Sequence, residues 1–173
     1  MSAAKSRAKA EGGIRTEPWK ERVKHYFMLF VATGGLTGYF PVAPGTAGSL
    51  VGVGLAWVFR DSPLFFNIAL CVFLGGLGVW TSQWAGKYFK KADSPRIVID
   101  EIVGVLITML GIPITGYWLV VGFIVFRFFD IVKFPPANLA DRRMKNGWGV
   151  MLDDVFAAIY GNVLLHLMVK SSI

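Results

Sequence analysis

The feature that most constrains this chain is where charge is missing. No Asp, Glu, Lys or Arg occurs over residues 26–59, 62–86, 102–126 or 155–169. A bilayer core about 30 Å thick takes roughly 20 apolar residues as a helix. The stretch 62–86 fits one such span, and 155–169 falls short of it. The other two are long enough but interrupted, by Pro41, Pro44 and Gly45 in the first and by Gly111, Pro113 and Gly116 in the third. Proline lacks an N–H and clashes with the preceding turn, so each of these is expected as two short helices around a bend. The runs are too long and too glycine-punctuated for the period-two alternation of strands. The expectation is an all-α, multi-helical, membrane-embedded or membrane-associated domain of about six helices, several short or broken.

Composition agrees. Of 173 residues, 54% are hydrophobic and only 17% charged, where a soluble domain carries about a quarter. A single cysteine excludes a disulfide framework and a Cys-rich zinc site. The basic residues cluster before Tyr26, again at Lys87, Lys90, Lys91 and Arg96, and again at Lys133, Arg142, Arg143 and Lys145. The positive-inside tendency puts all these segments on the cytoplasmic side. Residues 26–59 then cross once in net, 62–86 return, and 102–126 form a hairpin. No stacking platform or recognition helix accompanies the basic patches, so the expected partner is an anionic membrane and not nucleic acid, with no obligate protein partner evident. Residues 1–24 lack the apolar core and cleavage site of a secretory signal and are expected as a basic cytoplasmic tail, followed by a single helical domain over 25–173.

Against this background five carboxylates stand out. Asp100 and Glu101 lie in Ile97-Val98-Ile99-Asp100-Glu101-Ile102-Val103-Gly104, Asp130 in Phe126-Arg127-Phe128-Phe129-Asp130, and Asp153 and Asp154 in Val150-Met151-Leu152-Asp153-Asp154. An unpaired buried carboxylate costs several kcal/mol, so such groups pair, bind metal or stay protonated. Any one cluster has an ordinary explanation. Arg127, Asp130 and Lys133 at spacings of three neutralise one another on a helix, and Asp153-Asp154 suits a first helical turn. The hairpin topology nevertheless brings all three to one interface. Oxygen ligands without cysteine select a hard cation, Mg²⁺ or Mn²⁺.

A second feature is Gly38-Tyr39-Phe40-Pro41-Val42-Ala43-Pro44-Gly45-Thr46-Ala47-Gly48-Ser49. Prolines fix an extended loop, and small residues open the next helix, where a phosphate can approach free N–H groups and the Thr46 and Ser49 hydroxyls. No lysine follows, so it is not a P-loop. A tight turn packed by small residues is the equally simple reading. To join the carboxylates, residues 26–40 would have to lie shallow and leave the crossing to 46–59.

Taken in order, Pro41-Val42-Ala43-Pro44-Gly45-Thr46-Ala47-Gly48-Ser49-Leu50, Ile97–Gly104, Phe126-Arg127 with Asp130, Lys133 and Pro136, and Asp141-Arg142 leading to Gly147-Trp148-Gly149-Val150-Met151-Leu152-Asp153-Asp154 resemble the phosphatidylglycerophosphatase A family over about residues 25–168. The resemblance implies a multi-helical fold and Mg²⁺-dependent removal of the terminal phosphate from phosphatidylglycerophosphate, leaving phosphatidylglycerol. It implies Asp100, Glu101, Asp130, Asp153 and Asp154 as the metal and catalytic carboxylates.

The residues themselves agree. Phosphomonoester hydrolysis needs a cation to neutralise phosphate and a nucleophile. The sequence has no Asp-x-Asp-x-Thr/Val, Cys-x₅-Arg or His-based lipid-phosphatase signature, which leaves a metal-activated water. The expected metal ligands are Asp100, Glu101, Asp130 and Asp154, with Glu101 or Asp153 orienting or deprotonating the water. Arg127, Lys133, Arg142 and the Gly45, Thr46 and Ser49 helix start are expected to hold phosphate. The expected location is the inner membrane, multi-pass, with the site facing the cytoplasm. The alternative is a small ion-coupled transporter, which also uses broken helices and intramembrane acids, but no internal repeat is present. A CDP-alcohol phosphotransferase is disfavoured because its Asp-Gly-x₂-Ala-Arg signature is missing.

Overall fold

A computed structural model describes residues 18–132, 134–135 and 146–172 of the chain. Its helices are α1 (Trp19–Ala32), α2 (Pro44–Val58), α3 (Leu64–Tyr88), α4 (Ile99–Thr108), α5 (Gly116–Val132) and α6 (Gly147–Ser171), with one 3₁₀ turn at Thr37–Tyr39 between the first two. No strand occurs among the described residues. The uncharged runs break where proline and glycine interrupt them: α1 gives way to α2 across Pro41, and α4 to α5 across Gly111 and Pro113. Helix α1 begins at Trp19, inside the stretch expected as a tail.

The short helix α4 is the hub. All but two of its residues are buried, and α2, α3, α5 and α6 pack around it. Close approach explains the small residues. A Cβ on Gly48 would stand 2.7 Å from Val98, and one on Gly52 would stand 2.9 Å from the Ile102 carbonyl. With Ala56 a further turn along, they form a small-residue seam that lets the α2 backbone touch α4. On the opposite flank Gly104 receives the ring of the fully buried Phe126 of α5.

The far end of α4 is held by one side chain. Asn162 Nδ2 of α6 donates to the carbonyls of Ile107 (3.3 Å), Thr108 (3.0 Å) and Leu110 (2.8 Å). The Ile107 carbonyl also accepts from Leu110 N–H at 3.1 Å; those of Thr108 and Leu110 lie at and beyond the helix end, where intrahelical donors run out.

Helices α3 and α6 are each long and apolar enough to cross a membrane. Only 17% of the apolar window of α3 is buried inside the protein, and Phe65, Val72 and Phe73 point outward. So large an exposed apolar surface marks contact with lipid or another apolar partner.

Candidate active site

The start of α4 is fixed by Val98 N–H donating to Ala32 O at 2.9 Å. Asp100 and Glu101 therefore occupy the first turn of α4, where the helix dipole favours acids. Helix α6 is capped by Asn146, whose side-chain oxygen accepts from the N–H groups of Trp148 and Gly149, both at 3.1 Å. This cap sets the register of Asp153 and Asp154 two turns in. Asp154 faces α4, its Cβ 3.5 Å from where a side chain on Gly104 would begin.

One carboxylate oxygen each from Asp100, Glu101 and Asp154 lies within 4.8 Å of the others. Asp100 Oδ1, Glu101 Oε2 and Asp154 Oδ2 are buried and have no hydrogen-bond partner. Three acids, two of them buried and Glu101 half-buried, repel one another, and their orphaned oxygens lose hydration without a partner. A cation at their centre satisfies both deficits. The donor set is oxygen only, which fits a hard divalent ion such as Mg²⁺. Burial is the main cause holding Asp100 well above the usual carboxylate range, followed by the charges of Glu101 and Asp154. Glu101 is raised as well, chiefly by burial, while its hydrogen bond with Asp100 and the Arg127 charge pull the other way.

Asp130 stands beside this triad, within hydrogen-bonding reach of Asp154, but is tied to Arg127 by a 2.6 Å ion pair on α5. Of the expected metal ligands, three thus converge tightly and Asp130 forms their outer wall. Asp153 is buried next to Asp154 and lies outside the tight group.

The glycine-opened helix joins the same site. A Cβ on Gly45 would collide with Glu101 Oε1 and stand 3.5 Å from Arg127 Nη1. The loop before α2 accordingly reaches the carboxylates. Ala43 reaches the helix through a left-handed backbone (φ 49°), and the N–H groups of the first turn lack intrahelical acceptors. Thr46 is half-buried there. The Ser49 hydroxyl is buried and donates to Gly45 O at 2.9 Å, so it braces its own helix. Lys133 and Arg142 lie outside the described residues.

Sequence reasoning passed over Asn162, which fixes α4 lengthwise, although a lone amide in an uncharged run is a signal of its own. It also passed over Ser82, a buried hydroxyl of α3 with no partner.

The fold and the site define a helical protein with two helices long and apolar enough to cross a membrane and a carboxylate cluster able to hold a metal ion. The chain belongs to the phosphatidylglycerophosphatase A family, whose model matches residues 30–169. Membership makes it an enzyme of the phosphatase class. It is 37% identical over 139 residues to a phosphatidylglycerophosphatase A of Haemophilus influenzae, covering 78% of this chain and 84% of that one. It is 31% identical over 140 residues to a phosphatidylglycerophosphatase A of Escherichia coli, covering 80% and 81% respectively. A Bacteroides thetaiotaomicron protein carrying the provisional name phosphatidylinositol-3-phosphatase is 36% identical over 152 residues, covering 81% of this chain and 92% of its own. No solved structure matches the chain.

Proposed function

We propose that this enzyme hydrolyses phosphatidylglycerophosphate to phosphatidylglycerol and inorganic phosphate, with Mg²⁺ as cofactor, at a site on the cytoplasmic face of the inner membrane. The observation that carries the proposal is the triad of Asp100, Glu101 and Asp154, with its buried, orphaned oxygens, set against Gly45 and Arg127. Asp100, Glu101 and Asp154 would hold the cation. When bound, it neutralises phosphate oxygens and makes water a better nucleophile at neutral pH.

The remaining steps belong to the chain. Arg127, oriented by Asp130, binds phosphate oxygens as a planar two-pronged donor. The first-turn N–H groups of α2 add donors at the same place, and glycine at position 45 keeps that approach open. Lys133 and Arg142 complete the phosphate contacts. The attacking water gives its proton to a carboxylate, Glu101 or Asp153, and its oxygen bonds to phosphorus while the P–O bond to the glycerol oxygen breaks, that oxygen taking up the proton to leave as the alcohol. Two apolar helices support the membrane setting, and the basic clusters at 87–96 and 133–145 support the cytoplasmic orientation.

The test is phosphate release in mixed micelles titrated with Mg²⁺. Phosphatidylglycerophosphate would be compared with phosphatidylinositol 3-phosphate and glycerol 3-phosphate. Mg²⁺-dependent turnover of the first, with the others far slower, is expected. Preference for the inositol lipid would overturn the substrate, and turnover without Mg²⁺ would overturn the cofactor.

A further inference from the structure

We infer that the crossing of α3 and α6 seats the diacylglyceryl end of the substrate, its phosphodiester in a basic pocket and an acyl chain in the apolar groove that opens one turn away along both helices. This rests on the reading of the enzyme as a lipid phosphatase.

The pocket, about 210 Å³, is lined by Ser82, Gly86, Lys87 and Lys91 near the end of α3 and by Asn146 and Gly147 at the start of α6. Ser82 is 1% exposed, yet its hydroxyl has no partner. The other buried helical hydroxyls behave differently. Thr33, Ser49, Thr81 and Thr108 each donate to the carbonyl four residues back at 2.7–2.9 Å. That acceptor is within reach of any helical serine, so a hydroxyl turned away from it is available to a ligand. Neither Lys87 nor Lys91 forms an ion pair among the described residues. Lysines at a helix C-terminus complement its dipole, which explains their place on α3 but neither the pocket nor the serine. The Gly147 N–H, in the first turn of α6, has no intrahelical acceptor. Hydroxyl, ammonium and amide donors around one small polar space suit an anion with free oxygens.

One turn further along both helices the lining becomes apolar. A groove of about 470 Å³ runs from Val79 and Met151 past Gly75 and Gly76 to Ile68, a volume ordinary for a small-molecule site. From Val79 to Ile68 it follows about 16 Å of helix. A Cβ on Gly75 or Gly76 would meet nothing within 4 Å, so these glycines widen the groove and touch no neighbouring helix. Its inner wall includes Val103, one turn beyond Asp100 on α4, and Met151, one turn before Asp154 on α6. The polar pocket also borders the carboxylates: Ala92 lines it, and the adjoining Asp93 is within electrostatic reach of Asp100. A soluble anion has no use for the groove, and a packed helix has none for the lysines. A phospholipid whose second phosphate lies at Asp100 and Asp154 uses both.

The probe is phosphatidylglycerol, which carries the phosphodiester and acyl chains but no scissile monoester, bound at equilibrium to the detergent-solubilised full chain beside diacylglycerol, which has the acyl chains and no phosphate. Lys87→Gln with Lys91→Gln should weaken phosphatidylglycerol binding roughly tenfold and leave diacylglycerol unchanged. Gly75→Leu should weaken both lipids. Ser82→Ala, which removes only an unsatisfied hydroxyl, should weaken phosphatidylglycerol without lowering thermal stability. In phosphate release from phosphatidylglycerophosphate the lysine variant should raise KM and keep kcat. Unchanged phosphatidylglycerol binding in both the lysine and serine variants would overturn the pocket. Lost binding with unchanged KM would overturn its assignment to the substrate. If binding responds as expected while the unmodified chain releases no phosphate, the lipid seat stands and the proposed activity fails.

Discussion

Arg127 and Asp130 lie one turn apart on α5, joined by a 2.6 Å hydrogen-bonded ion pair with side chains only 20% and 15% exposed. Because Asp130 also lies against Asp154, the pair links the guanidinium to the carboxylate cluster. Arg127→Ala leaves Asp130 uncompensated beside other acids and should destabilise the fold by about 1–3 kcal/mol, less than a fully buried pair because both ends keep some solvent. Arg127→Ala combined with Asp130→Ala should recover stability but not activity, which is expected to fall about 100-fold or more. Thermal denaturation and phosphate release on the single and double variants separate the two effects.

Gly45 offers a sharper steric test. A methyl group there would collide with Glu101 Oε1, so Gly45→Ala must displace the Glu101 carboxylate from the cluster or the α2 start that meets it. A shift of an ångström at a reacting centre costs roughly 100-fold in rate. The expected result is that loss in kcat/KM with the helical content by circular dichroism intact. Near-normal turnover would remove the helix start from the site.

Much of this architecture was legible in the sequence. Proline and glycine at 41–45 and 111–116 mark the breaks between α1 and α2 and between α4 and α5, because backbone chemistry alone forbids a continuous helix there. The acids announced the site because carboxylates are costly in apolar sequence. What the sequence withheld was which acids share a face. Asp100 and Glu101 are neighbours about 100° apart on a helix, yet both join the triad because α4 is wrapped on several sides. Asp130 matched the same pattern and pairs with Arg127 one turn away while also lying against Asp154, since a local partner competes with the cluster. Asn162 and Ser82 carry no charge, so a search for misplaced charge passes over both.

The Asn162 amide should matter for stability before it matters for chemistry. Asn162→Leu removes a donor from three carbonyls at the end of α4, of which Ile107 keeps the Leu110 N–H, and is expected to cost about 1–3 kcal/mol. For a protein of this size that lowers Tm by several degrees. Mg²⁺ affinity should fall less than stability, because the ligands sit at the opposite end of α4.

A cation bound by the triad should stabilise the folded chain by mass action. Mg²⁺ is therefore expected to raise Tm in proportion to the logarithm of its concentration, and a chelator to reverse the shift. Protons compete with the cation for Asp100 and Glu101, whose carboxyls burial holds above the ordinary range. The Mg²⁺-dependent gain should accordingly shrink as pH falls toward the acid range and grow as it rises, measurable by thermal melts at fixed ionic strength.

The most direct test of the account is Asp100→Asn, assayed for Mg²⁺-dependent phosphate release from phosphatidylglycerophosphate and for the Mg²⁺-induced rise in Tm on the same preparation. Removing one of three mutually repelling acids should leave the metal-free protein at least as stable as before. Phosphate release and the thermal response to Mg²⁺ should both vanish. A folded Asp100→Asn variant that still turns over at a near-normal, Mg²⁺-dependent rate would contradict the assignment of the triad as the reaction centre.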